Sequence, residues 1–500
     1  MTDLSFDLVA ATVGLCTASL LILWRNKTSS NPPLPPGPKR LPILGNFFDM
    51  PTSNEWLVYE KWAKDFGSDV IHTDVLGTHL IILNSAKAAN ELFVKRSSLY
   101  SDRLKLDWVL GFIPYGQKWR DIRKAFHGHF HPAATLQYQP MEIKATHELL
   151  RRLVDNPADF VEHLRHMAGE IIIGISYGIE VKSHDDPYID TAEKTLQAIA
   201  IGSSPRAGLY DMAPSLIRIP EWLPGGRLKA ELKKWIHYGV SMVEAPYQTA
   251  KEAVMQGTAV PSVTSSMISK VENKISPELL AKQLPANMYL DSMTAGADTT
   301  VSALSSFFLA MARYPETMKK AQAEIDAVVG NARLPDFSDE DSLPYVSALV
   351  KEVLRWRPVV PLAIPHRVVS DDIYDGYFIP GGSIVIGNGW AILHDESVFP
   401  DAKNFKPEHF LDPNVKFPEQ AFGFGRRICP GRFMARASVW IAIACMLATF
   451  DVSKAVDENG NLIEPKDEYT SGIVSYPAPF KCNIRPRSKV AESLIQATAI

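Results

Sequence analysis

The sequence predicts a mainly α-helical protein with small β-sheets, an α+β chain forming one large domain behind an N-terminal membrane anchor. Three observations predict it. Helical periodicity dominates from about residue 85 to residue 355. Partly alternating, β-branched stretches are confined to residues 69–83, 371–386 and 454–486. No linker interrupts the chain after residue 50, and 46% hydrophobic against 22% charged residues suits a deep core.

The elements follow in order. Residues 8–24 carry no charge, which is the short end of a membrane span. Asp3 and Asp7 precede the run and Arg25 and Lys27 follow it, so the main body is expected in the cytosol. A secretory signal would begin with cations; this one begins with acids, and reads as an uncleaved anchor over residues 1–25. Asn26-Lys27-Thr28 matches a glycosylation acceptor, but faces the cytosol in that topology. Pro32-Pro33-Leu34-Pro35-Pro36-Gly37-Pro38 makes residues 26–50 a stiff, extended hinge that fixes the height of the globule above the membrane. Residues 51–500 form the globular domain. A net charge of −4 argues against a nucleic-acid partner, and four cysteines at 16, 429, 445 and 482 show neither disulfide nor metal spacing.

The chemistry gathers around Cys429, in Phe422-Gly423-Phe424-Gly425-Arg426-Arg427-Ile428-Cys429-Pro430-Gly431. A lone intracellular cysteine is usually a small buried hydrophobe. Here three glycines allow positive φ and a close approach to another object. Arg426 and Arg427, with a helix start just beyond, favour the thiolate. That is the setting of an axial ligand to heme iron.

Three other stretches need partners for their polar groups. Ala295-Gly296-Ala297-Asp298-Thr299-Thr300 interrupts an apolar helical run over residues 278–310, where glycine and a buried aspartate are both costly. Small residues there let a flat ligand approach, and Thr299 can turn its hydroxyl onto the preceding turn. Glu352 and Arg355 lie three apart on one helix face. Trp119 and Arg123, at i and i+4, offer an indole N–H and a guanidinium that suit a carboxylate.

Phe422, Gly425, Arg427, Cys429 and Gly431 fit F-x-x-G-x-R-x-C-x-G, and on this pattern the chain resembles the cytochrome P-450 family, in particular fungal microsomal members of specialised metabolism. The resemblance covers essentially the whole chain and implies the cytochrome P-450 fold, with residues 51–500 as a heme-thiolate catalytic domain. It makes Cys429 the axial ligand of heme b. It makes Thr299 and Asp298 the proton path for dioxygen activation, through the full match to A-G-x-D-T-T. Trp119, Arg123, His366 and Arg427 become partners of the heme propionates. Glu352 and Arg355 become two members of a buried triad, whose third is usually the arginine of P-E-R-F. Here Pro407-Glu408-His409-Phe410 departs from that pattern. His409 has two nitrogens in place of a five-donor fork, so the triad is expected to be weaker or pH-sensitive.

The resemblance also assigns the substrate cavity to residues 104–114, 293–297, 359–364 and 470–474, largely apolar stretches that imply a lipophilic substrate. Only Leu104 through Lys118 separate Arg103 from Trp119, a shorter roof than relatives usually carry. No dinucleotide fingerprint appears in a βαβ context, so an NADPH-cytochrome P-450 reductase is the expected partner. Arg120, Lys124, Arg426, Arg432 and Arg436 are a candidate basic docking face for it. The expected location is the endoplasmic reticulum membrane. Two rival readings are a reductase-independent heme-thiolate isomerase or dehydratase, and a non-catalytic heme-binding protein; the intact Asp298-Thr299 pair speaks against the first.

Overall fold

The computed structural model describes residues 31–103, 110–182, 186–191, 194–195, 226–269 and 298–499. The anchor, the acceptor at Asn26, the Ala295–Gly296–Ala297 stretch and part of the short roof lie outside them. Within the described residues the hinge does not swing free. Pro33 O accepts from Phe378 N at 2.8 Å and Pro36 O from His72 N at 2.9 Å. A proline spacer has no donors to satisfy internally, so its carbonyls are open to the sheet beside it.

Most strands sit where alternation predicted them, but His366–Arg367 and most of Phe450–Lys454 fall outside the expected stretches. β1 (Val70–Val75) and β2 (Thr78–Leu83) form an antiparallel hairpin, turning at Leu76 and Gly77 with φ of 52° and 85°. β3 (His366–Arg367) and β6 (Ile384–Gly387) complete this sheet in the order β1-β2-β6-β3, with β6 parallel to β2 and antiparallel to β3. β4 (Asp372–Tyr374) pairs with β5 (Tyr377–Ile379). β7 (Phe450–Lys454) pairs with β8 (Cys482–Pro486).

Helices make up the rest. The longer ones are α1 (Glu55–Phe66), α2 (Gln117–Phe130), α3 (Gln139–Asp155), α4 (Phe160–Tyr177), α5 (Gly226–Gln256), α6 (Asp298–Arg313), α7 (Pro315–Val328), α8 (Pro344–Trp356), α9 (Arg432–Thr449) and α10 (Lys489–Ala497). In α6 every residue from Thr300 to Ala312 is buried. A helix apolar on all sides must lie in a core, and α6 packs against α4, α8 and α9 at once. α9 is long and apolar enough to cross a membrane, yet two-thirds of it is buried in the same core. Phe307 and Phe308, both fully buried, each contribute about 1.5–3 kcal/mol of burial there.

One ion pair braces α8 to the segment leading to the cysteine loop. Glu352 and Arg355 are both 0% exposed, and Arg355 Nε and Nη2 donate to the two carboxylate oxygens at 2.7 Å. Arg355 also donates to Leu393 O at 3.0 Å and Asn404 O at 3.3 Å, while Lys406 N donates to Glu352 Oε1 at 2.8 Å. An ion pair this deep is tolerated only when its remaining donors and acceptors are filled, as they are here. His409 completes the arrangement. Its Nδ1 lies 3.3 Å from both Glu352 oxygens and its Nε2 lies 2.8 Å from Pro400 O. Both nitrogens face acceptors, so both carry protons, and the ring stands in as a cation. Burial opposes that charge, but Glu352 and the Pro400 carbonyl outweigh it and raise the His409 pKa above its usual value. The contacts at 3.3 Å are long, which is the cost of replacing a fork by a ring.

A histidine whose pKa is raised in the folded state stabilises it fully below the unfolded value, and that contribution is lost as pH rises through the folded value. Thermal melting should therefore fall between pH 6 and pH 9 by more in the natural protein than in His409→Arg, whose cation persists. Equal pH slopes in melting experiments would show that His409 is not a cation in the fold.

Candidate active site

The loop before α9 is shaped by what it abuts. Gly425 has φ +54°, and a Cβ there would lie 1.9 Å from Phe93 O, so only glycine can close the loop onto the short helical turn Asn90–Lys95. Gly423 also has positive φ, at 88°. Gly431 does not: its φ is −87°, and a Cβ on it would meet no protein atom. Backbone freedom, expected at all three glycines, is used at two. Cys429 N donates to Phe422 O at 2.8 Å, and Arg432 Nη1 donates to Cys429 O at 3.2 Å, placing the cysteine just ahead of the first turn of α9.

The Cys429 loop opens on a cavity. Cys429, Phe422 and Gly431 line it together with Trp119, Arg123, His366, Arg427 and Thr299, so residues far apart in sequence converge on one space. Its walls are apolar, from Leu110, Phe126, Ile171, Ala303, Leu354 and Val359 among others. Of the stretches expected to line it, residues 359–364 and the described part of 104–114 contribute. Residues 470–474 are not among the described lining, although Tyr469, Ser475 and Tyr476 on either side of them bond α6. Residues 293–297 lie outside the described residues.

One end of the cavity is strongly cationic. Arg427 is 8% exposed, and its guanidinium donates to Ser101 O and Ile113 O at 2.8 Å each while lying 4.5 Å from the centre of the Trp119 ring. Arg103 is 3% exposed and donates to Gly111 O at 3.1 Å and Ile364 O at 2.5 Å. Arg123 Nη2 donates to Ile428 O at 2.7 Å, joining α2 to the cysteine loop. His366 is buried on β3, stacked at 4.0 Å on Phe93, with Nδ1–H donating to Tyr100 O at 2.6 Å. Carbonyls neutralise no charge and the neighbouring Asp102 offsets only part of it, and the protonation equilibria register the cost. Burial pulls Arg427 down to about 10. Burial, then the neighbouring Arg427, pulls Arg103 well below the usual arginine range. Burial, then Arg103, does the same to His366. Such a cluster is a site for anions.

Arg103 was not marked by the sequence pattern, because a single arginine has no spacing to distinguish it. Arg426, expected beside the thiolate, instead faces the surface, where it hydrogen-bonds the Tyr115 hydroxyl. On the far wall lies α6. A helix advances 100° per residue, so the neighbouring Asp298 and Thr299 side chains diverge. Thr299 reaches the cavity, whereas Asp298 faces the Tyr476 hydroxyl, with Arg165 of α4 nearby.

A family profile described as Cytochrome P450 matches residues 35–484. The chain belongs to the cytochrome P450 family. It is 42% identical over 496 residues to a cytochrome P450 monooxygenase of Armillaria gallica, covering 96% of this chain and 97% of that one. A cytochrome P450 monooxygenase of Postia placenta is 41% identical, with 98% and 96% covered. The tryptamine 4-monooxygenase of Psilocybe cyanescens is 38% identical, with 91% and 93% covered. This P450 is thus a monooxygenase, an oxidoreductase whose family implies heme iron with a thiolate ligand.

The residues present fit a heme. Apolar walls suit the macrocycle, a cluster of cations at one end suits the two carboxylates that a heme carries, and Gly431 leaves open the space that a Cβ would fill.

Two glycines separate fold from cofactor. Gly425→Ala forces a Cβ into the Phe93 carbonyl and should cost about 3 kcal/mol or more, read as a lower melting temperature. Gly431→Ala meets no protein atom, so its effect should appear as reduced heme retention. A Gly425→Ala protein that melts like the natural one would disprove the packing argument.

Proposed function

We propose that this P450 oxidises a lipophilic small molecule of specialised metabolism, using dioxygen and electrons from a separate NADPH-dependent reductase. One observation carries this reading: Cys429, the cationic end and Thr299 line a single apolar cavity. Heme b, ligated by Cys429, would supply the redox chemistry that splits dioxygen and inserts one of its atoms into the substrate. Arg103, Arg123, Arg427, His366 and the Trp119 indole would hold its propionates, each anion relieving the buried positive charge described above. Phe422 and Gly431 would border the cofactor beside the thiolate. Thr299 would pass protons into the cavity, while Asp298, half-exposed behind it, would exchange them with solvent.

The substrate class follows from the lining. None of the described lining residues is acidic, so a protonated amine finds no counter-charge there, whereas a neutral terpenoid or aromatic skeleton does not need one. For the reductase, Arg120, Lys124 and Arg426 are exposed around the outer end of α2 and the cysteine loop. Arg432 is engaged with Glu419 at 3.5 Å, and Arg436 lies 4.0 Å from the Phe417 ring. The docking face is therefore smaller than the sequence suggested, and centred on α2. Residues 8–24 would hold the enzyme in the endoplasmic reticulum membrane with its catalytic domain in the cytosol.

Cys429→Ser should abolish the carbon-monoxide difference band of thiolate-bound heme and all monooxygenation. The fold should persist, because the backbone bond from residue 429 to Phe422 remains. A serine variant that keeps that band would end the assignment of Cys429. Thr299→Ala should keep its heme but release as hydrogen peroxide a several-fold larger share of NADPH electrons, since proton delivery typically contributes about 10²–10⁴-fold. An unchanged peroxide share would remove Thr299 from the proton path.

A further inference from the structure

Four polar side chains of α6 are directed to a single neighbour. Asp298, Ser302 and Ser306 follow at intervals of four on one face, and Arg313 ends the helix. Ser302 Oγ donates to Ser475 O at 2.6 Å. The Tyr469 hydroxyl donates to Ser306 Oγ at 3.0 Å, and Arg313 Nη1 donates to Pro465 O at 2.8 Å. Asp298 accepts from the Tyr476 hydroxyl. All four contacts lead to residues 465–476.

That loop is braced, so what it delivers is delivered firmly. Thr470 N donates to Tyr476 O at 2.8 Å, Tyr476 N to Thr470 Oγ1 at 3.0 Å, and Ser475 Oγ to Thr470 O at 2.9 Å. Ser475 N donates to the carbonyl of the cavity-wall residue Val359 at 2.9 Å. Arg357 lies 5.5 Å from the Tyr469 ring while it pairs with Asp467.

The Tyr476 phenol on the loop therefore meets the Asp298 carboxylate, and Arg165 on α4 lies close enough to act on the same phenol. Burial, then the negative charge of Asp298, pushes the phenol far above its ordinary range, so it keeps its proton and acts as a donor. A carboxylate has acceptor sites beyond the one that a phenol occupies.

We propose that Tyr476 is a positioning residue for proton delivery, holding Asp298 in the orientation from which a proton passes inward by way of Thr299. This rests on the reading of Asp298 and Thr299 given above. In each cycle the carboxylate takes a proton from the solvent side, releases it inward and returns to its ionised form. Tyr476 donates a hydrogen bond throughout and transfers no proton, so the step needs no added reactant.

Tyr476→Phe and Tyr476→His test it in the full chain, reconstituted with a P450 reductase and assayed by 7-ethoxycoumarin dealkylation. Tyr476→Phe should retain heme, leave KM within about twofold, lower kcat about tenfold, and raise both the peroxide share and the solvent deuterium isotope effect. Tyr476→His, which keeps a donor, should recover most of kcat. Apart from turnover, amide exchange in the ligand-free protein should be unchanged from Ser302 onward, because the Ser302 and Ser306 ties remain. A Tyr476→Phe enzyme with normal peroxide share and isotope effect, in a series where Thr299→Ala uncouples, would overturn the role of Tyr476 alone. A silent Thr299→Ala would remove the proton path itself, and this proposal with it. If the phenylalanine variant loses its heme, the histidine variant decides: normal coupling supports the proposal, and uncoupling refutes it.

Discussion

Positive charge buried at one end of the cavity is the constraint on which the site depends. Arg427 and Arg103 lie almost wholly inside the protein, and both donate to backbone carbonyls. Holding guanidiniums there draws Ser101, Gly111, Ile113 and Ile364 inward to supply oxygens, and so shapes the chain around the cavity. Arg123 extends the same logic to the Ile428 carbonyl, fixing α2 against the cysteine loop. The cysteine loop is thus held by cations whose own hydrogen bonds go to backbone carbonyls, so the charge at this end of the cavity stays strongly positive.

A second buried charge works by the opposite rule. Glu352 and Arg355 neutralise each other, and their spare hydrogen-bonding positions are filled by Leu393, Asn404, Lys406 and His409. This group asks for no ligand; it fastens α8 to residues 393–409. The histidine keeps the sign of the charge expected at its position, but its two nitrogens are shared between a carboxylate and a carbonyl. In one buried network a carboxylate meets a guanidinium directly, while in the other Asp102 offsets two guanidiniums from beside them, so the difference lies in the count of anions rather than in burial.

Between them runs α6, where adjacent side chains divide the labour. Thr299 looks into the cavity and Asp298 away from it, toward the braced loop of residues 465–476. Because Ser475 also bonds Val359, the loop ties α6 to a wall of the cavity. Hydrogen bonds hold that distance, through side chains on α6 and through the backbone at Val359, which packing of apolar side chains alone would leave softer.

Much of this was legible in the sequence, for physical reasons. Periods of 3.6 and 2.0 residues separate helices from strands, so α6, α9, β1 and β2 could be read directly. A glycine-rich loop around one cysteine, and the spacing of Trp119 with Arg123, mark chemistry because those residue types are costly or idle otherwise. Tertiary structure decided the rest. Arg103 has no local pattern; its burial next to Arg427 is set by a chain that returns from residues 360–366. Residues 470–474 share the composition of a cavity wall, yet they are absent from the described lining, and the residues on either side of them are hydrogen-bonded to α6. Gly431 and Gly425 look alike in sequence, but one abuts a carbonyl from residue 93 and the other abuts open space. Periodicity is a property of neighbours along the chain and survives in one dimension. Burial of a charge depends on which distant groups fold back upon it, and only the packed molecule determines that.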